Sequence, residues 1–287
     1  MTVAVLGPGA VGGVLTVGFV ESGVDVVCIA RPATAEAIRS VGLTLKRAET
    51  VKTARPRVET QLRESVELLL VTVKAPALDE ALGRVEAAPH FVVPLLNGIE
   101  HMETLRRRLP EATVAGASIG RIEAWLERPG VVLQPTPSVV MTVASEAPVE
   151  LLRRSGVDVR ENGSAEEVLW EKLARQAPTA AATSITQRPI GHLRADPEWR
   201  GRLRAGIEEA CAVAAADGVV LSPDAEWEII ETMPPLLTSS TARDIAAGVP
   251  SELDAITGAA VRAGQRLGVE TPVLTQLFDE ACRASLR

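Results

Sequence analysis

Residues 3–13, Val-Ala-Val-Leu-Gly-Pro-Gly-Ala-Val-Gly-Gly, carry a short apolar strand straight into a G-x-G-x-x-G loop. Each glycine of that pattern has a mechanical task. Gly7 allows the tight turn off the strand, Gly9 lets the backbone approach a pyrophosphate, and Gly12 permits close packing of the next helix on the sheet. A helix opening near Pro8 or Ala10 aims its N-terminal N–H groups and the positive end of its dipole at phosphate. Pro8, Ala10 and Val11 complete the predicted dinucleotide loop. The loop alone is a weak signal, because surface glycine turns imitate it. Here a helix (10 to about 21) and a second strand (24–30) follow, so a whole βαβ unit stands around it.

Composition narrows the rest. Of 287 residues 46% are hydrophobic, enough for two packed domains or one large one. There is no tyrosine, so chemistry that needs a catalytic tyrosine is excluded. The formal charge of −7, with no basic stripe to offset it, argues against nucleic acid as a partner. Cys28, Cys211 and Cys282 are odd in number and unrelated in spacing, which fits thiols in a reducing cytoplasm. His90, His101 and His192 stand at no metal-ligand spacing, so no metal is expected. The first strand begins at residue 2 or 3, leaving no room for a signal peptide. No apolar run approaches the roughly 20 residues that span a bilayer. The expected protein is cytoplasmic, with no membrane partner. A homodimer is compatible with the sequence, which does not fix the oligomeric state.

Strands and helices alternate through the first half: strand 68–73, helix 78–87, strand 91–96, helix 99–109, then strand-like segments 113–117, 131–133 and 139–144. That alternation predicts an α/β, Rossmann-type, doubly wound parallel sheet. The β-rich stretches 43–53 and 131–144 are expected as extra strands on it. Past Ser164 the pattern is helical only. Ser164 and Glu167 form a capping-box signature for a helix to about Thr186, and helical periodicity covers 197–217, 223–232, 251–267 and 272–285. The expected division is a nucleotide-binding domain over 1–164 and an all-helical substrate domain over 165–287. The active site is expected in the cleft between them.

The second strand, Val26-Val27-Cys28-Ile29-Ala30, ends in Arg31, with no acid at its tip to bind a ribose 2′-hydroxyl. A guanidinium there favours a 2′-phosphate, so NADP(H) is predicted over NAD, although an ordinary surface arginine would look the same. The chain has only four lysines among its 30 lysines and arginines: Lys46, Lys52, Lys74 and Lys172. Arginine does not surrender its proton, whereas lysine's pKa falls on burial. Lysine is therefore the side chain to expect where a proton is donated near neutral pH. Lys74 follows the run 68–73, at the carboxyl edge of the predicted sheet. Lys172 flanks the apolar face of Leu169 and Leu173 on the capped helix. A snorkelling lysine is the plain alternative for each.

Taken in order, Val5-Leu6-Gly7-Pro8-Gly9-Ala10-Val11-Gly12, Val71-Thr72-Val73-Lys74, Leu96-Asn97-Gly98, Leu169-Trp170-Glu171-Lys172-Leu173, Ser239-Ser240 and Pro250-Ser251-Glu252-Leu253-Asp254 resemble the ketopantoate reductase (2-dehydropantoate 2-reductase) family over nearly the whole chain. The resemblance implies NADPH-dependent reduction of a small-molecule 2-oxo acid, in pantothenate biosynthesis. It makes Lys172 the proton donor and has Asn97 touch both cofactor and substrate. Glu252 would bind the cofactor ribose or the substrate hydroxyl side, Ser240 the substrate, and Lys74 would lie beside the cofactor. The plain alternative for Glu252 is a first-turn acid behind a Ser251 cap. The family carries asparagines four and eight residues after the lysine, where this chain has Gln176 and Ala180; a third expected asparagine falls near Ile190. Gln176 keeps an amide at the substrate on a longer arm, whereas Ala180 removes a hydrogen-bond partner. Pro178 is expected to kink the helix. A less polar 2-oxo acid than ketopantoate is the reading these departures suggest.

Two alternatives stay open. A 3-hydroxyacid dehydrogenase of the 6-phosphogluconate dehydrogenase type also joins such a domain to a lysine-bearing helix, but it places glycines before its lysine and an asparagine four after. A non-catalytic NADP(H)-binding sensor fits the depleted face at Gln176 and Ala180, and is disfavoured by the presence of Lys172, Asn97 and Glu252.

Overall fold

The computed structural model describes residues 1–286. The chain divides into two compact units: residues 1–96 with 101–168, and residues 97–100 with 169 onward.

In the first unit, strands β1 (Thr2–Leu6), β2 (Asp25–Ile29), β5 (Arg57–Glu59), β6 (Leu68–Val71), β7 (Phe91–Pro94) and β8 (Thr113–Val114) form one parallel sheet, ordered β5-β2-β1-β6-β7-β8. Numbered within this sheet, that order is 3-2-1-4-5-6, the doubly wound dinucleotide-binding topology. The central strands read as continuous apolar runs because both faces are covered. Helices α1 (Ala10–Glu21), α2 (Pro32–Val41), α3 (Leu78–Leu82), α4 (His101–Arg108) and α5 (Val149–Arg153) connect the unit's strands.

The extra strands do not join this sheet. Strands β3 (Leu43–Lys46) and β4 (Val51–Ala54) pair with β10 (Glu123–Arg128) and β11 (Val131–Thr136) in a separate four-stranded sheet. Strands β9 (Ala117–Gly120), β12 (Val140–Val143) and β13 (Asp158–Glu161) make a third. The reason lies in α1, which carries no charge between Ala10 and Val20 and is apolar right round. Such a helix needs cover on both sides. The four-stranded sheet supplies the second side, closely enough that a Cβ on Gly13 would stand 2.6 Å from Val132 Cγ2.

Helix α6 (Ala165–Thr186) opens with the anticipated box: Ser164 N donates to Glu167 Oε2 at 2.6 Å, and Glu167 N to Ser164 Oγ at 3.2 Å. It runs on through Pro178, whose ring packs where a Cβ on Gly206 would otherwise sit, 2.8 Å away. The second unit continues with α7 (Ile190–Ala195), α8 (Pro197–Ala216), α9 (Pro223–Thr232), α10 (Ser240–Ala246), a π-helical turn (Asp254–Gly258), α11 (Ala259–Leu267) and α12 (Pro272–Ala284). Its core gathers Trp170, Leu173, Ala177, Ala180, Leu203 and Ile256. Ile99 packs on this core, which is why residues 97–100 belong with it.

Candidate active site

Two constellations of candidate residues stand out, one in each unit. The first is the glycine loop. Gly7 takes φ +83° and donates its N–H to Ile29 O at 3.0 Å; a Cβ there would meet Val73 Cγ1 at 2.4 Å. Thr72 Oγ1 donates to Gly7 O at 2.7 Å, and a Cβ on Gly12 would lie 2.4 Å from that hydroxyl. Gly7 and Gly12 are thus required by the fold itself. Gly9, which caps α1, is different. Its φ is an ordinary −81°, and a Cβ there would meet only Gly7 O, at 3.8 Å. Neither its φ nor its neighbours among the described residues require glycine at that position. Pro8 is buried, Ala10 and Val11 open α1 with no acid in the first turn, and the helix presents its N–H groups beyond Gly9.

Arg31 is exposed, two residues beyond the carboxyl end of β2, and its backbone caps α2. Strand β6 ends at Val71 rather than Val73, because Thr72 turns to bond the glycine loop. Lys74 consequently lies past the strand, at the cap of a short 3₁₀ turn over Ala75–Ala77.

The second constellation centres on Asn97. Its Oδ1 accepts from Lys172 Nζ at 2.8 Å and from Gln176 Nε2 at 3.1 Å, while its Nδ2 donates to Glu252 Oε2 at 2.9 Å. Two donors on one side and an acceptor on the other fix the amide's orientation. Gly98 takes φ +83° directly against the π-turn, where a Cβ would lie 1.9 Å from Ala255 O. Glu252 is buried and reaches Asn97; the helical stretch after it begins without a side-chain cap, so no Ser251 cap is seen.

Lys172 is half-buried beside the buried Leu169, Trp170 and Leu173. Burial pulls its pKa down, Glu252 pulls it back up and Arg175 pushes it down again, leaving it at about 8. Such an ammonium is charged at neutral pH and still gives up its proton readily. Arg175 is itself held by the buried Glu226 of α9, Nη1 to Oε2 at 2.7 Å, and also donates to Glu171 O. Burial raises the Glu226 pKa against the pull of Arg175.

Sequence reasoning brought Lys172, Asn97, Gln176 and Glu252 together as a site, and these four do meet. Ser240 makes no hydrogen bond to them: it stands exposed at the first position of α10, while Ser239 caps that helix through Ala242 N at 3.0 Å. Ala180 borders no open space; it is fully enclosed in the core, as is Ile190 at 2% exposure. Gln176 Oε1 is buried with no hydrogen-bond partner among the described residues. Arg175, Glu226 and Arg262 escaped the sequence reading, since the ion pairs Arg175–Glu226 and Arg262–Glu100 join residues far apart in the chain.

Among the described residues, no group of three or more His, Cys, Asp or Glu side chains could hold a metal ion, and no helix is long and apolar enough to cross a membrane.

Comparison with known proteins adds an independent line. The family described as ketopantoate reductase PanE/ApbA matches residues 3–139, and its counterpart, ketopantoate reductase PanE/ApbA C terminal, matches residues 164–282. A 2-dehydropantoate 2-reductase of Pyrobaculum aerophilum is 34% identical over 198 residues, covering 67% of this chain and 69% of that protein. The Bacillus subtilis protein named uncharacterized oxidoreductase YkpB is 27% identical, covering 97% of each chain. Among solved structures, a PanE/ApbA family ketopantoate reductase from Ralstonia eutropha JMP134 superposes with a TM-score of 0.87 at 30% identity, covering 99% of this chain and 98% of that one.

Proposed function

The chain belongs to the ketopantoate reductase family of oxidoreductases, and from that premise we propose that it reduces a 2-oxo acid to the 2-hydroxy acid with NADPH. The observation that carries this reading is the Lys172–Asn97–Glu252 group, with an ammonium at about 8 held by a fixed amide.

The cofactor's pyrophosphate would rest on the loop Gly7-Pro8-Gly9-Ala10-Val11-Gly12. The unexplained glycine at position 9 and the free N-terminus of α1 fit it. Arg31 would pair with a 2′-phosphate, and Lys74 would lie beside the cofactor. When bound, the nicotinamide supplies the hydride that C2 of the substrate takes up.

The remaining work falls to side chains of the second unit. Lys172 polarises the substrate's C2 carbonyl and donates its proton to the oxygen as negative charge develops there. That interaction is strongest in the transition state, which is where it accelerates the reaction. Asn97 holds the ammonium in one direction, and Glu252 keeps it charged against the drain of burial. With Ala180 closed into the core and offering no hydrogen-bonding side chain, the acid is ketopantoate or a 2-oxo acid with a less polar side chain.

NADPH oxidation followed with a panel of 2-oxo acids, ketopantoate included, tests the reading. Turnover with at least one acid is expected, and cofactor binding with none turned over overturns it.

A further inference from the structure

The segment carrying Asn97 and the segment carrying Glu252 are fastened to each other by one side chain. Arg262, on α11, donates Nε to Glu100 Oε1 at 2.8 Å and Nη2 to Glu100 Oε2 at 2.7 Å, a two-pronged grip. The same guanidinium donates Nη1 to Asp254 Oδ1 at 2.8 Å, and Nη2 to Asp254 O at 3.0 Å and Oδ2 at 3.3 Å. Glu100 lies three residues after Asn97, and Asp254 two after Glu252. We propose that Arg262 is a positioning residue, clamping Glu100 and Asp254 so that Asn97 and Glu252 are presented together to Lys172. This rests on the reductase reading for its kinetic consequence, though not for its structural one.

A second observation is consistent with the clamp. Gly258 has an ordinary helical φ of −60°, so its backbone does not ask for glycine. A Cβ there would stand 2.9 Å from Asp254 Oδ1, 3.0 Å from Arg262 Nη1 and 2.9 Å from Phe278 Cζ, so the position is hemmed in by the Asp254–Arg262 pair on one side and by an aromatic ring on the other. The missing side chain leaves room for the guanidinium to reach Asp254. The π-helical turn over Asp254–Gly258 widens the backbone at the same place, and such turns gather at functional sites. Lysine could not substitute, because a single ammonium lacks the planar fork needed to hold one carboxylate by two prongs while bonding another.

The clamp reaches Lys172 through two favourable interactions with the ammonium: the Asn97 Oδ1 acceptor and the Glu252 charge. The opposing cation is Arg175, paired with Glu226 and bonded to the Glu171 carbonyl, and neither of those partners is held by Arg262. Loosening the clamp therefore removes support for the charged form while leaving the repulsion in place.

With only four lysines in the chain, the side-chain nitrogen signals of the ¹⁵N-labelled full-length protein can be assigned by comparison with Lys172→Ala. Two charge-conserving variants are titrated, Arg262→Lys and Gly258→Ala, with melting temperature recorded alongside. The expected result is a Lys172 midpoint lowered by about half a unit or more in both. In parallel, kcat falls about 10- to 100-fold while KM for the cofactor is unchanged, the signature of a displaced reacting group. A Lys172 midpoint that stays at the wild-type value in Arg262→Lys, with a lower melting temperature, overturns the proposal and leaves Arg262 a stabilising residue only. If Gly258→Ala fails to fold, Arg262→Lys decides alone. Should the wild type turn over no 2-oxo acid, the reductase reading fails, and the titration still decides the clamp.

Discussion

Lys172 Nζ donates to Asn97 Oδ1 at 2.8 Å across 75 residues of sequence, and the same amide donates its N–H to Glu252. A cation and an anion are thereby ordered around one neutral group whose orientation has no freedom left. Replacing Lys172 by Ala removes the proton donor without touching the glycine loop. We expect kcat to fall by about 10²- to 10⁴-fold with cofactor affinity unchanged, measured by steady-state kinetics and by fluorescence titration of NADPH. Retained activity would show that another group donates the proton.

The pH dependence follows from the lowered pKa of Lys172. The donor is charged below about 8 and loses its proton above it. In the direction of 2-oxo acid reduction, kcat/KM should be level on the acid side of that value and decline on the alkaline side. The linkage to folding has a definite sign as well. Between about 8 and the ordinary 10.5, the unfolded chain holds this proton and the folded one does not, so this group's contribution to stability rises with pH across that window. A pH–rate profile and urea melts at several pH values check the two halves separately.

Gly98 sits in the left-handed region with its α-carbon pressed on a neighbouring backbone, since an added Cβ would lie 1.9 Å from Ala255 O. Backbone cannot swing away as a side-chain tip can. Gly98→Ala should destabilise the fold by about 2 kcal/mol or more, and should lower activity even in the molecules that fold. Chemical denaturation and specific activity per folded molecule measure both.

Gly7 and Gly9 separate fold from binding. Gly7→Ala combines a positive φ with a 2.4 Å clash against Val73 and should cost about 1–3 kcal/mol of stability. Gly9→Ala should change stability by less than about 1 kcal/mol. Its effect should appear as weaker NADPH binding, read by calorimetry. Unchanged cofactor affinity in Gly9→Ala would remove the pyrophosphate from that loop.

Arg31 is a surface residue with no structural duty for its side chain in view, so Arg31→Glu should leave the melting temperature alone. The KM for NADPH should rise about tenfold or more, while that for NADH stays the same or falls, because a carboxylate repels the 2′-phosphate and tolerates a hydroxyl. Equal effects on both cofactors would argue for a different 2′-phosphate partner.

What could be read in advance divides along the range of the interactions. The strand–loop–helix unit, the Ser164–Glu167 box and the long helices of the second unit are written in nearest neighbours, and periodicity reports them; the short helices α7 and α10 hold too few turns to show a period. The four-stranded sheet could not be placed that way. Strands β3 and β11 are far apart in sequence, and only the uniformly apolar circumference of α1 hints that something must cover it. Lys172 announced itself by rarity, in a chain that habitually writes arginine. Arg262 did not, being one arginine of many, and its bonds to Glu100 bridge 162 residues. Ala180 was read from its place on the α6 face, but burial is decided by what packs from α8 and beyond, and that closed the space the sequence left open.

The π-helical turn at Asp254–Gly258 has a consequence for how this chain tolerates change in length. Each residue of an α-helix advances the chain by about 100°, so a turn that closes one residue later offsets the phase of everything before it relative to everything after. Glu252 lies on one side of that offset and Arg262 on the other. Deleting a single residue within the turn would restore ordinary helical phase without introducing any foreign side chain. It would also rotate Glu252 by about a quarter-turn or more about the axis, away from Asn97. At this point the spacing of the chain is itself a specification, and a one-residue gap would do more harm than most substitutions.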